Sequence, residues 1–263
     1  MPVAEKFYAP SNHREREILE ELRHCGGTCR IHILADRLNV SEETIRRNVK
    51  NLARGGAVQK VHGGVHLLGG HIEQPFNKRY SENVQAKRAI AEQVAKIIQS
   101  GDTLFLDIGS TTAHIAKALN KHRELFIVTN SMSVAQPLAA RNNNRVFLAG
   151  GELRAHDGAA FGKEALAYVR QFSVKYAVLS VAAINAESGF MLHDIEEAEF
   201  SREISARAQL RIIAADSGKF NQTAPIILSA PDKFDILVTD QRPPADICAM
   251  LDQSNIDLIL TDT

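Results

Sequence analysis

Apolar runs of strand length alternate with stretches of helical periodicity along the last two thirds of the chain. The strand-like runs cover residues 103–108, 125–129, 145–149, 176–181, 210–215, 234–239 and 258–261. The helical patterns lie between or beside them, at 86–99, 112–119, 133–141, 163–171, 197–208 and 245–253. Because parallel strands are joined by crossover helices, this alternation predicts an α/β layer structure with a mostly parallel sheet.

The first seventy residues have a different pattern, in which short helices come first and a hairpin follows. Asn12 and Glu15 have the spacing of a helix N-cap and its reciprocal carboxylate, so a first helix is predicted over 13–25. Two glycines end it, after which a short strand is expected at 29–31 and a second helix over 33–38. This segment predicts a small helical domain with its own apolar stripe.

A third helix is predicted after Ser41, which is a good N-cap residue. Ile45, Val49 and Leu52 repeat at helical spacing and give this helix an apolar side. Two short helices joined by a tight turn form a helix-turn-helix, whose second helix can enter the major groove of DNA.

Basic side chains collect on the other side of the third helix, which carries Thr44, Arg46, Arg47, Lys50 and Arg54. Guanidinium and ammonium groups suit phosphates and the edges of guanine bases. The whole chain has 31 basic and 31 acidic residues, yet no acidic residue occurs from 44 to 72. The neutral total therefore conceals a basic segment, which indicates nucleic-acid binding.

The run at 57–62 alternates, two glycines turn the chain, and residues 65–67 return it, which predicts a β-hairpin. A basic hairpin after a helix-turn-helix is the wing of a winged-helix domain. The residues predicted to contact DNA are Ser41, Thr44, Arg46, Arg47, Lys50, Arg54, Lys60, His62, Gly63 and Gly64.

The stretch LADRLNVSEETIRR at 34–47, followed by VHGGV at 61–65, resembles the DeoR-type bacterial repressors. One residue departs from that pattern: the family usually has an aspartate after the paired arginines, and this chain has Asn48. A carboxylate there would be a partner to orient an arginine. The base preference of the family at this position is therefore not transferred to this chain.

The residues that follow the predicted strands are small and polar. In an open α/β sheet, ligands gather at the carboxyl ends of the strands. The turn at 109–112 opens a helix and offers N–H groups and hydroxyls to an anion, and Lys219 offers a point charge for a phosphate. The residues predicted to bind an effector are Asp107, Gly109, Ser110, Thr111, Thr112, Thr129, Asn130, Gly150, Gly151 and Lys219.

The resemblance to the DeoR-type family extends, with looser motifs, over nearly the whole chain. It implies a sensor domain similar to the sugar-phosphate isomerase and CoA-transferase fold, which binds a phosphorylated sugar or polyol and thereby loosens binding to operator DNA. It implies regulation of a carbohydrate operon, by repression, without a cofactor. Contacts to the sugar end of the effector remain open among Arg154, His193, Asp194 and Glu196.

Three segments are expected: a winged helix-turn-helix domain at 1–70, a polar linker at 71–80 that contains Pro75, and an α/β domain for effector binding and oligomerisation at 81–263. A homodimer or homotetramer is expected, since paired winged modules on a two-fold axis read palindromic half-sites.

The composition predicts a protein of the cytoplasm. No apolar run is long enough to span a membrane, and the first ten residues lack the apolar core of a secretory signal. Three cysteines, Cys25, Cys29 and Cys248, argue against a disulfide framework. Cys25 and Cys29 have no second pair of ligands at the distance usual for a zinc site, so no metal is expected.

The main alternative is a sugar-phosphate isomerase-like enzyme with an appended DNA-binding domain, because a fold does not settle a function. Acid–base chemistry would require several of the carboxylates Asp107, Asp194, Glu196 and Asp216 to converge with Lys219. Dinucleotide-binding and Walker glycine patterns do not occur. A purely architectural DNA-binding protein would leave the polar strand ends without a role.

Overall fold

The computed structural model describes residues 12–24, 28–55, 57–61, 63–67 and 74–262. The chain forms two compact units, and the boundary between them lies between Pro75 and Phe76.

In its described residues, the first unit contains three helices and a three-stranded antiparallel sheet. Its elements are α1 His13–His24, β1 Thr28–Arg30, α2 Ile31–Arg37, α3 Glu42–Arg54, β2 Val58–Val61 and β3 Gly64–Leu67. Strand β3 lies in the middle of the sheet and pairs with both β1 and β2. The fully buried side chains of Ile18, Leu22, Leu34, Ile45 and Leu52 form one core between the helices and the sheet. The helix-turn-helix and the wing are both confirmed.

The second unit contains a seven-stranded sheet in which every pair of neighbours is parallel. Its strands, in chain order, are β4 Thr103–Leu106, β5 Phe126–Thr129, β6 Arg145–Leu148, β7 Val174–Leu179, β10 Ala208–Ala214, β12 Ile236–Thr239 and β13 Asp257–Leu260. A separate antiparallel sheet is formed by β8 Ala183–Asn185, β9 Gly189–Leu192 and β11 Ile226–Ser229. The helices are α4 Phe76–Ser81, α5 Val84–Ile97, α6 Ser110–Ala118, α7 Met132–Leu138, α8 Lys163–Val169, α9 Ile195–Ser205 and α10 Ala245–Gln253.

The parallel sheet has an apolar core on each face. Successive side chains of a strand point to opposite faces. On β4, for example, Leu104 and Leu106 belong to one buried cluster and Phe105 belongs to the other. Helices α5 and α6 contribute Ile90, Val94 and Ile115 to the cluster that contains Leu104. A sheet covered on both faces leaves its strand ends as the exposed place for a ligand.

The strand order is β13-β12-β10-β7-β4-β5-β6. The chain enters the sheet at β4, proceeds through β5 to the β6 edge, and then returns to the other side of β4 with β7. The order therefore reverses between β4 and β7. In open α/β sheets such a reversal opens a crevice at the carboxyl ends of the two strands.

The predicted fold class is confirmed, and each of the seven predicted strands corresponds to one strand of the parallel sheet. The sequence pattern did not predict the small antiparallel sheet, whose strands are only three or four residues long. Nor did it predict α4, which lies largely within the segment 71–80 expected as a linker. In the described residues, no helix has the length and apolar content needed to cross a membrane.

Candidate functional site: a basic helix and a polar sheet edge

Helix α3 begins where the sequence predicts. Ser41 has extended backbone angles, and its Oγ accepts a hydrogen bond from the Thr44 N–H at 3.2 Å. The two hydroxyls of Ser41 and Thr44 are also 2.9 Å apart. Glu42 and Glu43 place negative charge at the positive end of the helix dipole. Ser41 therefore serves as the N-cap, and Thr44 is half-buried rather than fully exposed.

The basic side chains of α3 differ in how they are paired. Arg46 donates to the Glu42 carboxylate at 2.7 Å, and Arg54 donates to the Asn51 Oδ1 at 2.7 Å. Arg47 and Lys50 are exposed, and neither makes a hydrogen bond or ion pair with any residue that the structure describes. These two side chains present their charge to solvent without a counter-ion among the described residues. All four lie away from the buried stripe of Ile45, Val49 and Leu52.

The wing places Lys60 on an exposed position of β2. Gly63 has a left-handed φ of 71° at the turn, which favours glycine. Gly64 has a different reason: a Cβ there would lie 2.6 Å from the Cys29 carbonyl oxygen, since β3 packs tightly against β1. The predicted contact residue His62, like Cys25, lies outside the described residues.

Asn48 does not lie on the exposed basic face. Its side chain is buried, its Nδ2 donates to the Thr44 carbonyl at 2.9 Å, and its Oδ1 accepts from Asn12 at 3.4 Å. The neighbouring amide of Asn51 donates to the buried Glu15 at 3.4 Å. Asn48 therefore belongs to a polar contact between α1 and α3, which is a structural reason for an amide at this position.

At the other candidate site, Asp107 follows β4 directly and is 2% exposed. Its Oδ1 accepts from the Ile108 N–H at 2.8 Å, and its Oδ2 accepts from the Ser201 hydroxyl on α9 at 2.5 Å. Burial raises the pKa of the Asp107 carboxyl to about 7, although the bonds from Ser201 and Ile108 and the charge of Arg154 act in the opposite direction. Asp107 is thus a buried acid whose ionisation changes near neutral pH.

Gly109 lies at the crevice between β4 and β7, beside Ser180. It is the N-cap residue of α6 and offers that helix no side-chain cap. The Thr112 hydroxyl donates to the Gly109 carbonyl at 3.0 Å, and the Ser180 hydroxyl donates to the Ile108 carbonyl at 3.1 Å. The first N–H groups of a helix have no partner inside the helix, so the Ser110–Thr112 turn is suited to an anion.

The ends of β5 and β6 are next along the edge. The Thr129 hydroxyl accepts from the Ser131 N–H at 3.1 Å, and the Asn130 Nδ2 donates to the Ala160 carbonyl at 3.0 Å. The Asn130 Oδ1 is buried without a partner among the described residues. Gly150 and Gly151 are exposed after β6. Strand pairing places the loop after β5 beside the Gly109 turn, and the loop after β6 one strand further along the edge.

Lys219 lies on the far side of β7 from that turn, because β10 pairs with β7 and not with β4. It ends a single 3₁₀ turn, Ser217–Lys219, and is half-buried. Asp216 caps this turn, since its Oδ1 accepts from the Gly218 N–H at 3.1 Å. The structure brings nine of the ten predicted effector residues to the ends of β4, β5 and β6, and it places Lys219 two strands from β4 in the opposite direction, after β10.

Arg154 is already occupied by protein carboxylates. Its guanidinium contacts Asp157 at 2.6 Å and Asp194 at 3.3 Å, and it also pairs with Glu197. It lies over the Phe161 ring, 3.9 Å from the centroid. Asp194 is the N-cap of α9 and accepts from the Glu196 and Glu197 N–H groups. These contacts give Arg154 and Asp194 structural tasks.

Three side chains at this edge were missed by the sequence analysis: Ser180, Ser201 and Asn83. Ser180 lies near the end of the predicted run 176–181 and directly follows the observed strand β7, so its place near a strand end was a usable signal. Ser201 and Asn83 lie on helices or helix starts, and only long-range packing brings them to Asp107 and Asp216.

Two family models match the chain. A model of the DeoR-like helix-turn-helix domain matches residues 14–69, and a model of the DeoR C-terminal sensor domain matches residues 82–241.

Curated relatives match along most of the chain. The HTH-type transcriptional repressor CsqR of Escherichia coli is 35% identical over 89% of this chain and 90% of its own length. The glycerol-3-phosphate regulon repressor of Escherichia coli is 33% identical over 86% of this chain and 90% of its own length. Among solved structures, ribose 5-phosphate isomerase A from Neisseria gonorrhoeae matches with a TM-score of 0.37 and 15% identity, over 51% of this chain and 52% of that one. By its two family-model matches and its relatives, the chain belongs to the DeoR family of DNA-binding transcriptional regulators.

Proposed function

We propose that this regulator represses a carbohydrate operon and releases its operator when a phosphorylated sugar or polyol binds the sensor unit. The observation that carries the effector half is the uncapped amino end of α6 in the crevice between β4 and β7. A phosphate needs several N–H or hydroxyl donors, and the Ser110–Thr112 turn offers both kinds. The effector site then comprises this turn with Asp107, Gly109, Thr129, Asn130, Gly150, Gly151 and, from the β10 side, Lys219.

The DNA-binding half of the proposal assigns base and phosphate contacts to α3 and phosphate contacts to the wing. Arg47 and Lys50 are its strongest members because their charge has no counter-ion in the described part of the first unit. Arg46, Arg54 and Lys60 flank them, and the N-terminal Ser41 and Thr44 lie where a recognition helix approaches the DNA backbone.

The names of the relatives support the class of effector. One relative is a glycerol-3-phosphate regulon repressor, and another is a putative aga operon transcriptional repressor. We therefore choose a ligand panel of phosphorylated polyols and sugars, including glycerol 3-phosphate, with the unphosphorylated form of each as its control. A charge-assisted hydrogen bond contributes roughly 1.5–3 kcal/mol, so the unphosphorylated controls are expected to bind far more weakly.

The test begins with selection of bound duplexes from a randomised pool, which supplies the operator probe. Thermal unfolding of the full chain with each panel compound then identifies ligands, because binding to the folded state raises its stability. Compounds that stabilise the protein are expected to weaken operator binding. An effector must prefer the weakly binding state, since equal affinity for both states shifts nothing.

Two substitutions locate the site. Ser110→Ala and Lys219→Ala are expected to keep operator binding and to require more effector for release. Ser254→Ala and Lys121→Ala are the matched controls, because helix-to-strand loops lie at the opposite edge of a parallel sheet. If Ser110→Ala and Lys219→Ala release DNA at the same effector concentration as the unchanged protein, the proposed phosphate site is wrong.

The proposal also includes the location of the protein in the cell and the absence of catalysis. We assign the protein to the cytoplasm, where it can reach operator DNA, and we assign it binding rather than catalysis. The buried Asp107 carboxylate accepts a hydrogen bond from Ser201, and Asp194 caps α9, so both carboxylates already have structural partners. Turnover of any panel compound, measured beside operator binding, would contradict the assignment of a pure binding role.

A further inference from the structure

Helix α4 is the first element of the second unit, and its packing is unusual. None of its side chains is buried. It is followed at once by Glu82 and Asn83, after which α5 begins. We call the segment Tyr80–Asn83, together with Lys87, the α4–α5 corner. A helix without buried side chains needs other contacts to hold it, and the corner supplies them through polar bonds.

The first bond joins the corner to the loop after β10. The Asn83 Nδ2 donates to the Asp216 Oδ1 at 2.8 Å, across 133 residues of sequence. The same Oδ1 accepts the Gly218 N–H, which belongs to the turn that ends at Lys219. One carboxylate oxygen therefore holds both the corner and the turn that carries the proposed phosphate-binding lysine.

The second contact joins the corner to α6. The Tyr80 ring stacks on His114 with centroids 4.4 Å apart and an interplanar angle of 10°. The His114 Nε2 lies 3.3 Å from the Tyr80 carbonyl oxygen, and the Lys117 ammonium lies 5.0 Å from the centre of the Tyr80 ring. His114 is one turn after Ser110, so the helix that offers its amino end to the phosphate also contacts the corner.

The corner itself is held by Lys87. This buried side chain donates to the Glu82 carbonyl at 2.9 Å and to the Arg79 carbonyl, at the end of α4. The Lys87 charge also interacts with Asp216 and Lys219. The Asp216 Oδ2 is buried and accepts no hydrogen bond from any described residue.

Because a buried acceptor without a donor is unfavourable, a second arrangement in which the Asp216 Oδ2 gains a donor would be stabilised. Movement of Lys219 toward a phosphate would change the charge balance around Asp216 and Lys87. The Asn83–Asp216 hydrogen bond and the Tyr80–His114 stack would then both respond, because the first ends on the loop after β10 and the second ends on α6.

We propose that the α4–α5 corner transmits effector occupancy to α4, with Asn83 as the positioning residue that couples the Lys219 turn to the start of the second unit. This rests on the proposed function, because it takes the phosphate site as given. Helix α4 is connected directly to the first unit, because Phe76, its first residue, follows the last residue of that unit.

Hydrogen–deuterium exchange of the full chain tests this, with inorganic phosphate as the probe and chloride at equal ionic strength as the control. In the unchanged protein, phosphate is expected to slow exchange at 109–113 and to alter exchange at 76–82. Asn83→Gly removes the amide, and glycine adopts the left-handed φ of 51° found at Asn83. This variant is expected to keep the response at 109–113 and to lose the response at 76–82.

Asn255→Gly is the matched control, since Asn255 is exposed, has a φ of 53° and lies in a helix-to-strand loop. It is expected to keep both responses. With the selected operator, phosphate is expected to weaken DNA binding of the unchanged protein by roughly 5–150-fold, the usual range for allosterically coupled sites. In Asn83→Gly, this ratio of affinities without and with phosphate is expected to be close to one.

The outcomes separate the two proposals. A response at 109–113 with none at 76–82 in the unchanged protein would overturn the role of the corner and leave the phosphate site intact. A response at 76–82 that persists in Asn83→Gly would likewise overturn the role of the corner. Absence of any response at 109–113 and 217–219 would overturn the phosphate site, and the corner proposal with it.

Discussion

The backbone of Gly109 passes so close to Ser180 that a Cβ added at Gly109 would lie 1.9 Å from the Ser180 Oγ and 2.9 Å from its Cβ. The two residues follow β4 and β7, the strands between which the chain order reverses. Gly109→Ala is therefore expected to lower the free energy of unfolding by about 1–3 kcal/mol, the usual cost of overpacking.

Ser180→Gly removes the two nearest atoms that an alanine at 109 would meet, and the third nearest, the Thr112 Oγ1, is at 3.3 Å. The double variant is expected to recover part of the stability removed by Gly109→Ala, as measured by urea unfolding in a double-mutant cycle. Strictly additive effects of the two substitutions would show that the close approach is not the reason for glycine at 109.

The charges of α3 give a prediction about salt dependence. Replacement of Arg47 and Lys50 by alanine is expected to lower the slope of log affinity against log salt by about 0.9 for each phosphate that is no longer neutralised. Arg46→Ala is expected to have a smaller effect, since Glu42 already partners Arg46. Lys121→Ala in the second unit is the control for removal of a surface charge. Unchanged operator affinity after replacement of Arg46, Arg47 and Lys50 together would contradict the assignment of α3 as the recognition helix.

Asp107 gives a prediction about pH. Its pKa is raised from 3.8 to about 7 by burial, so the folded state holds a proton that the unfolded state releases. The contribution of Asp107 to stability is therefore complete below pH 3.8, declines as the pH rises and is lost above about pH 7. The slope is at most about 1.4 kcal/mol per pH unit.

Asp107→Asn removes this titration and keeps an acceptor for Ser201. The difference in unfolding free energy between the unchanged protein and the variant is expected to fall between about pH 4 and pH 7, with all other titrating groups common to both. A difference that is constant over this range, measured by urea unfolding, would mean that Asp107 is ionised throughout.

Asn48 gives a prediction about the family's usual residue. Asn48→Asp replaces the amide that donates to the Thr44 carbonyl with a carboxylate that has no proton to donate at neutral pH. The first unit is expected to lose about 1–3 kcal/mol, because the donor to the Thr44 carbonyl is lost and a carboxylate is buried in its place. Base preference, measured by selection from a randomised pool, is expected to stay the same, since the side chain is buried.

Asn39→Asp adds the same charge at an exposed position of the first unit and serves as the control. A change in base preference with Asn48→Asp, at unchanged stability, would restore a DNA-facing role for this position.

The full chain is expected to form a homodimer or homotetramer. One winged module contacts a single half-site, whereas two modules related by a two-fold axis contact both half-sites of a palindromic operator. Static light scattering, with and without the selected operator, measures the mass. The mass of a single chain under both conditions would contradict this prediction.

The sequence by itself determined the elements and their class. Caps such as Ser41, the helical spacing of Ile45, Val49 and Leu52, and the seven apolar runs depend on residues close together in the chain. Local hydrogen bonding and side-chain periodicity decide such features, so the sequence alone predicts them. Residues that follow parallel strands also share one edge by topology, which brought most of the predicted effector residues together.

Only the tertiary structure decided which of these residues are free to act. It pairs Arg46 with Glu42, buries Asn48 against α1 and occupies Arg154 with three carboxylates. It also orders the strands so that Lys219 lies two strands from β4, and it joins Asn83 to Asp216. Most of these contacts link residues far apart in the chain. Burial and strand order determine them, and no local sequence pattern encodes either.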